Sequence, residues 1–227
     1  MSRFRTSLRR AACGASLLAV GAAPVAAAGA GVAALDDRWI ERTVPVAPAQ
    51  QLRIELSYGQ LSIEPATGDE VKLELAVRCK RGGERCARLI DDVDFEVHNR
   101  DDEVRVRVDN LPKFNTRGVS AKLRVFVPQH RRLVVDMGAG EIRITDLGHD
   151  VDIRLGAGEI DIHMPEDVVG SVALQAGVGD AHLRRGHGAI ETARAHLIGA
   201  AVRWDEGRGK ARVEAQVGAG EVQLCLD

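Results

Sequence analysis

Four acidic residues recur at one position of a repeated motif and are the side chains best placed to do chemistry. Glu141, Glu159, Asp180 and Glu221 each follow a Gly-x-Gly tripeptide and precede an alternating apolar segment. If the repeats stack at the ~4.8 Å spacing of neighbouring strands, these carboxylates form one column. Adjacent charges would repel by about 1 kcal/mol even in water. A divalent cation such as Ca²⁺ would offset the repulsion, which makes the four acids candidate metal ligands.

A solvated column without metal is the competing interpretation. Rolls that bind Ca²⁺ carry acids at both bends of each coil, whereas the second bends of this chain carry no repeated acid. Arg143, Arg154 and Arg184 would then balance the charge, or the amides of the bend would donate hydrogen bonds to the carboxylates. The sequence therefore predicts no cofactor, with Ca²⁺ as the alternative.

Other constellations give little support for catalysis. Enzymes that cleave polysaccharides on β-helices line one sheet with acids and bases, and Arg143, Asp152, Arg154 and Asp161 do alternate outward. Paired carboxylates do not recur at one site, however, and the serines lack a Gly-x-Ser-x-Gly context. Histidines are frequent in the repeats without a metal-binding spacing on one strand, namely His149, His163, His182, His187 and His196. We therefore predict a protein that is not an enzyme, with a polysaccharide-processing β-helix enzyme or a Ca²⁺-stabilised β-roll as alternatives.

The elements that must position these acids are short strands joined at glycines. A unit of about twenty residues is too small to enclose a core, so its copies gain stability by stacking. Paired glycines mark the bends, because glycine adopts positive φ without a steric cost; these are Gly138 and Gly140, Gly156 and Gly158, Gly177 and Gly179, and Gly218 and Gly220. Residues 132–227 are thus predicted to form a β-solenoid or β-roll of about four to five coils. An antiparallel meander with the same glycines is the alternative.

Alternation of apolar and polar residues predicts which side chains face the core. In the repeats these are Ile142, Ile144, Ile153, Leu155, Ile160, Ile162, Val172, Leu174, Leu183, Val213, Val222 and Leu224. The same period of two, interrupted by polar turns, predicts an antiparallel, sandwich-like β region over residues 35–131. Within that region, residues 57–63 already look like a degenerate first copy of the repeat. The predicted fold class is all-β.

Two cysteines in the N-terminal region are placed to form a disulfide. Cys79 and Cys86 bracket a polar, turn-forming segment, and thiols so placed pair readily in an oxidising compartment. Their spacing matches neither a CxxC redox motif nor a zinc site.

The N-terminus predicts export. Four arginines within the first ten residues precede an Ala-rich apolar segment, a pattern typical of a signal peptide, which we place at residues 1–30. No later stretch approaches the ~20 apolar residues of a membrane-spanning helix. The formal net charge of −2, with acids and bases interspersed, argues against nucleic-acid binding. The mature chain is predicted to lie in the periplasm, on the outer surface or outside the cell, without a transmembrane segment.

The chain resembles the putative-adhesin family of bacterial exported proteins. The residues that carry the resemblance are Gly59-Gln-Leu-Ser-Ile, Val127-Pro128, the Gly-Ala-Gly-Glu copies at Gly138, Gly156 and Gly218, and the weaker Gly177-Val-Gly-Asp. The resemblance covers most of residues 52–226. It implies an all-β, solenoid-like fold at the cell envelope, and the family has no assigned activity or catalytic residues.

These observations favour a non-enzymatic envelope protein, an adhesin-like platform that binds another protein or a polymer. Solenoids expose open end coils that must be capped or paired. The chain ends at Asp227, immediately after a motif copy. We therefore also expect self-association through the end coils.

Overall fold

A mixed β-sheet contains most of the residues that the structure describes. The computed structural model describes residues 37–80, 83–111, 118–129, 131–186, 189–191 and 199–227. These residues form twelve strands and one short helix, which confirms the all-β prediction. The predicted signal peptide, residues 1–30, lies outside the described residues, as do His187 and His196. Across the described ranges, no helix combines the length and the apolar character that a bilayer span requires.

The strands follow one another with short connections. They are β1 (Asp37–Pro45), β2 (Gln51–Ala66), β3 (Glu70–Cys79), β4 (Asp94–Asn99), β5 (Glu103–Asp109), β6 (Val119–Pro128), β7 (Leu133–Thr145), β8 (Val151–Met164), β9 (Val169–Arg185), β10 (Ala189–Glu191), β11 (Ala200–Trp204) and β12 (Ala211–Leu226). Helix α1 (Glu84–Asp91) lies between β3 and β4. The order of strands across the sheet is β1-β3-β6-β2-β7-β8-β12-β9-β10, with β5 beside β2, β4 beside β5, and β11 beside β9.

Five long strands form a parallel stack in register. The stack runs β2, β7, β8, β12 and β9, and each strand bends at its Gly-x-Gly or equivalent segment. Gly59 of β2 lies opposite Gly140 of β7, so the degenerate copy predicted at residues 57–63 is the first member of the stack. The parallel direction excludes the antiparallel meander.

The order of the stack differs from the order of the sequence. Strand β12 lies between β8 and β9 and pairs in parallel with both. To reach that place the chain crosses the start of β9, where the amides of Gly207 and Gly209 donate to the carbonyls of Gly170 (3.1 Å) and Val169 (3.2 Å). Sequence order, in which each coil of a simple solenoid follows the one before it, is therefore not kept at the C-terminal end of the stack.

The last motif copy, in β12, does not lie at an open end of the stack. The amide of Asp227 donates to the carbonyl of Met164 at 3.2 Å, and its own carbonyl accepts from the amide of Glu166 at 2.9 Å. The last motif copy is thus enclosed by strands on both sides, and self-association through the end coils stays a prediction.

The N-terminal region is antiparallel only in part. Strands β1 and β3, β3 and β6, and β4 and β5 pair antiparallel. Strand β2, however, is parallel to β5 through its first half and to β6 through its second half, and it is parallel to β7 along its length. The prediction of a purely antiparallel region is wrong for β2, because this strand belongs to the stack.

Alternation along the strands builds one continuous core. All twelve repeat residues predicted to face inward are buried. In β7, Leu133, Val135 and Met137 point inward before the bend, and Ile142 and Ile144 do so after it. The buried residues of β7 are therefore odd-numbered before the bend and even-numbered after it. The segments before and after the bend, which we call the two arms of the strand, face the same core.

The disulfide predicted from the sequence is present and joins the end of β3 to α1. Cys79 and Cys86 are bonded across a sequence separation of seven. Closing a loop of that length restricts the unfolded chain by about 2 kcal/mol. The double substitution Cys79→Ala and Cys86→Ala is therefore expected to lower the free energy of unfolding by about 2 kcal/mol, measured by urea denaturation. The oxidised wild type is the reference, and an unchanged midpoint would contradict the expectation.

Candidate binding groove

The glycines at the bends allow neighbouring strands to approach closely. Gly140 and Gly158 adopt φ of 133° and 136°, and a Cβ at either position would overlap the carbonyl oxygen of the strand beside it, that of Gly59 or Gly140. The equivalent glycines of β9 and β12, Gly179 and Gly220, have the same geometry. Side chains other than hydrogen are therefore excluded at the second glycine of these bends.

The four repeated acids lie in one row immediately after the bends. Register places them in the order Glu141, Glu159, Glu221 and Asp180, with Gln60 of β2 next to Glu141. The amide of Gln60 donates to Glu141 at 3.0 Å, and Arg143 donates to the same carboxylate at 3.0 Å. Nε2 of His182 lies 3.7 Å from Oε1 of Glu221. Sequence order would have placed Asp180 before Glu221.

Polar neighbours rather than a cage of ligands surround these acids. Within the described ranges, no group of three or more His, Cys, Asp or Glu side chains is arranged to hold a metal ion. Arg143 contacts the acid row, whereas Arg154 contacts Asp152 (3.3 Å) and Asp136 (3.9 Å) on the other arm.

A groove crosses the five stacked strands on the other side of the bends. Its volume is about 820 Å³. The first glycine of four bends contributes to its lining, and these glycines are exposed; they are Gly138, Gly156, Gly177 and Gly218. The terminal part of β5 and the next two residues, Asn110 and Leu111, also line it.

A row of polar side chains borders the groove, one from each strand. Register places it in the order Arg107, Glu55, Asp136, Arg154, Gln216 and Gln175. We call these six residues the groove row. The sequence prediction missed this row as a unit, because the position before the bend carries a different residue type in almost every copy. The row could have been identified from position alone. In each of the five bent strands, the groove-row residue lies the same number of residues before the bend.

The charges at the β5 end of the groove row are held by a network behind it. Glu103 of β5 accepts hydrogen bonds from Arg53 (2.9 Å) and Gln51 (2.8 Å) and forms an ion pair with Arg105 (3.0 Å). Arg53 also pairs with Asp136, and Arg105 lies 3.4 Å from Glu55. These contacts fix the two carboxylates of the groove row that come from β2 and β7.

The network shifts the pKa values of its central pair. Burial alone would raise the pKa of Glu103, but the hydrogen bonds from Arg53 and Gln51 and the charge of Arg53 outweigh it and hold that pKa below its usual 4.5. Burial likewise opposes the charge of Arg53, yet its bond to Glu103 and the nearby carboxylates raise its pKa. Both groups are therefore ionised in the folded protein at neutral pH.

The lowered pKa of Glu103 predicts a specific loss of stability in acid. A carboxyl whose folded pKa is depressed contributes stability above its unfolded pKa, and this contribution disappears as pH falls through the folded pKa. The wild type is therefore expected to lose stability below about pH 4.5 more steeply than Glu103→Gln, which has no charge to lose. Urea midpoints measured from neutral pH down into the acid range test this, and parallel slopes for the two proteins would refute it.

Ion pairs also hold the residues at the β5 end of the groove in place. Arg107 lies 3.3 Å from both Glu96 and Asp109, and the hydrogen bond to Asp109 together with the charge of Glu96 raises the pKa of Arg107. Asn110 adopts a φ of 55° and donates from its side-chain amide to the carbonyl of Asp92 at 3.0 Å. The chain leaving β5 is thereby held against the segment between α1 and β4.

Comparison with solved structures identifies the fold. A putative cell adhesion protein from Clostridium sporogenes is similar with a TM-score of 0.50 and 13% identity, covering 84% of this chain and 100% of that chain. A putative adhesin from Parabacteroides distasonis (TM-score 0.30, 10% identity, 82% of this chain and 70% of that chain) and one from Bacteroides fragilis (0.24, 11%, 82% and 97%) are more distant. No protein-family model and no curated protein matches the sequence. The clostridial protein therefore shares the fold, and the likeness goes no further.

Proposed function

We propose that this chain is an exported, non-enzymatic binding protein of the bacterial envelope, with a solenoid-like stack as its platform and the groove as its binding site. The observation that carries the proposal is the groove row. Five parallel strands and β5 each place one polar side chain along a groove whose lining includes the first glycine of four bends. The strand register fixes the positions from which these side chains extend. Binding therefore does not require the entropy cost of ordering a loop, which favours a binding surface.

The arrangement of charges favours binding over catalysis. Each carboxylate that lines the groove is in contact with an arginine: Glu55 with Arg105, Asp109 with Arg107, and Asp136 with Arg53 and Arg154. A ligand in the groove would therefore meet carboxylates that are already engaged in ion pairs.

Export and an oxidising location are part of the same proposal. The Cys79–Cys86 disulfide is typical of a protein that folds outside the cytosol. The arginine-rich, Ala-rich N-terminus is the pattern of a signal peptide. The clostridial protein of the same fold bears the name of a putative cell adhesion protein, which is consistent with a surface role.

Co-sedimentation tests the proposal. The purified mature chain is mixed with isolated cell envelopes of the producing bacterium, and the bound fraction is measured as a function of protein concentration. Saturable binding is expected, without time-dependent release of reducing ends from envelope polysaccharide. Absence of saturable binding, or steady release of reducing ends at catalytic protein concentrations, would overturn the proposal.

A further inference from the structure

Two amides at one end of the groove row are free to bind a ligand. Gln216 of β12 lies opposite Gln175 of β9 on one side and opposite Arg154 of β8 on the other. Both glutamines are exposed and line the groove. Within the described part of the chain, neither side-chain amide makes a hydrogen bond. Each amide offers two donors and an acceptor.

Charges elsewhere in the groove are already compensated. Glu55, Asp109 and Asp136 each contact an arginine, and Arg107 and Arg154 each contact two carboxylates. An ionic ligand would have to replace one of these pairs, which leaves the displaced partner uncompensated. A hydroxyl group, in contrast, donates one hydrogen bond and accepts two, so it can use the remaining lone pairs and N–H groups without breaking a pair.

The backbone of the stack cannot pair with an extended peptide. Peptides commonly bind sheets by adding a strand to a free edge. Strands β7, β8 and β12, which supply the middle of the groove row, each pair with a strand on both sides. Recognition there depends on side chains alone, along a direction that crosses the strands.

The dimensions suit a linear chain of several units. Four steps of ~4.8 Å separate β2 from β9, so the groove row spans roughly 19 Å beyond β5. The volume of about 820 Å³ lies within the range of small-ligand sites. Glycines in the lining let a chain lie against the backbone, since they carry no Cβ.

We infer that the groove binds an uncharged polysaccharide, with Gln175, Gln216 and Arg154 hydrogen-bonding its hydroxyl groups. This inference rests on the proposed function and names its ligand class. The paired charges at the other end of the groove row align the same chain through their remaining donors and acceptors.

Nuclear magnetic resonance titration of the mature chain tests the ligand class. Cellohexaose, maltohexaose and chitohexaose are the neutral probes, hexagalacturonate is the anionic probe, and an octapeptide of alternating serine and glycine is the peptide probe. At least one neutral hexasaccharide is expected to shift resonances of the groove residues with saturation, and neither other probe is expected to bind there more tightly. No shift with any neutral probe, or tighter binding of hexagalacturonate or the peptide, overturns the inference.

Matched variants test the residues. Gln175→Ala combined with Gln216→Ala is expected to weaken binding of the neutral hexasaccharide at least tenfold, with an unchanged melting temperature because both side chains are exposed. Gln60→Ala, which removes an amide from the acid row on the other arm, is the control and is expected to leave the affinity unchanged. Equal affinities for all three proteins overturn the assignment of Gln175 and Gln216.

Co-sedimentation with envelopes separates failure of the groove inference from failure of the proposed function. If the wild type sediments with envelopes and the double glutamine variant does so equally well, the assignment of Gln175 and Gln216 as ligand contacts fails, whereas the proposed role in envelope binding stands. If the wild type itself does not bind envelopes, the proposed function fails.

Discussion

Ending the chain after Lys210 is expected to abolish cooperative folding of the mature protein. The missing segment is β12, which lies inside the stack and pairs along its length with β8 and β9. Its loss opens two parallel strand edges and removes five large side chains from the core, namely Val213, Val217, Val222, Leu224 and Leu226. At about 1.5 to 3 kcal/mol each, their burial contributes roughly 7 to 15 kcal/mol, which is as large as the whole stability of a typical domain.

The truncation is measured by circular dichroism and by urea denaturation. The truncated chain is expected to show no cooperative unfolding transition and to aggregate through the opened edges. A separate peptide of residues 211–227, added during refolding, is the control and is expected to restore part of the transition. A truncated chain that unfolds cooperatively at the wild-type midpoint would mean that β12 is a dispensable outer strand.

Gly158→Ala is expected to destabilise the stack strongly. Gly158 has a φ of 136°, and an added Cβ would overlap the backbone of Gly140. Positive φ costs a residue with a Cβ about 1 to 3 kcal/mol, and forced displacement of packed backbone adds about 1 to 3 kcal/mol. The expected loss in free energy of unfolding is about 2 to 6 kcal/mol, measured by urea denaturation.

A second glycine separates the two causes. Gly68 has a φ of 99° in the turn before β3, and nothing lies within 4 Å of the place where its Cβ would be. Gly68→Ala therefore suffers the backbone strain alone and is expected to cost about 1 to 3 kcal/mol. Equal losses for the two variants would show that close approach between the strands does not constrain the bend.

Local features of the fold could be predicted from the sequence because neighbouring residues determine them. Alternation correctly assigned the inward side chains of the repeats, such as Ile153 and Leu224. The pairing of Cys79 with Cys86 followed from two thiols on either side of a turn. Both results depend on residues within a few positions of one another.

The order of the stack could not be predicted for a physical reason. The motif copies present nearly the same residues to a neighbour, so β9 could pair with β8 or with β12 in the same register. What decides is the route of the chain after β11, where Gly207 and Gly209 bond to the start of β9 and direct β12 to its other side. The order of the strands therefore depends on the path of the chain in three dimensions, and no repeated sequence motif encodes it.

The groove escaped prediction for the same reason. Gln216 and Gln175 are distant in the sequence and become neighbours only because β12 lies beside β9. The repeated acids lie on the other arm of the strands. They could be recognised in the sequence because nearly the same residue type recurs there in each copy. The groove row, in contrast, consists mostly of unlike residues.

The order β8, β12, β9 is the claim on which the groove depends, and cysteine cross-linking tests it most directly. Neighbouring residues in register are ~4.8 Å apart, within the range of about 4.4 to 6.8 Å between the Cα atoms of a disulfide, whereas second neighbours exceed its limit of about 7 Å. Glu159→Cys combined with Glu221→Cys is expected to form a disulfide on oxidation, identified by peptide mapping, and Glu159→Cys combined with Asp180→Cys is not. A bond in the second pair and none in the first would place β9 beside β8 and contradict this order.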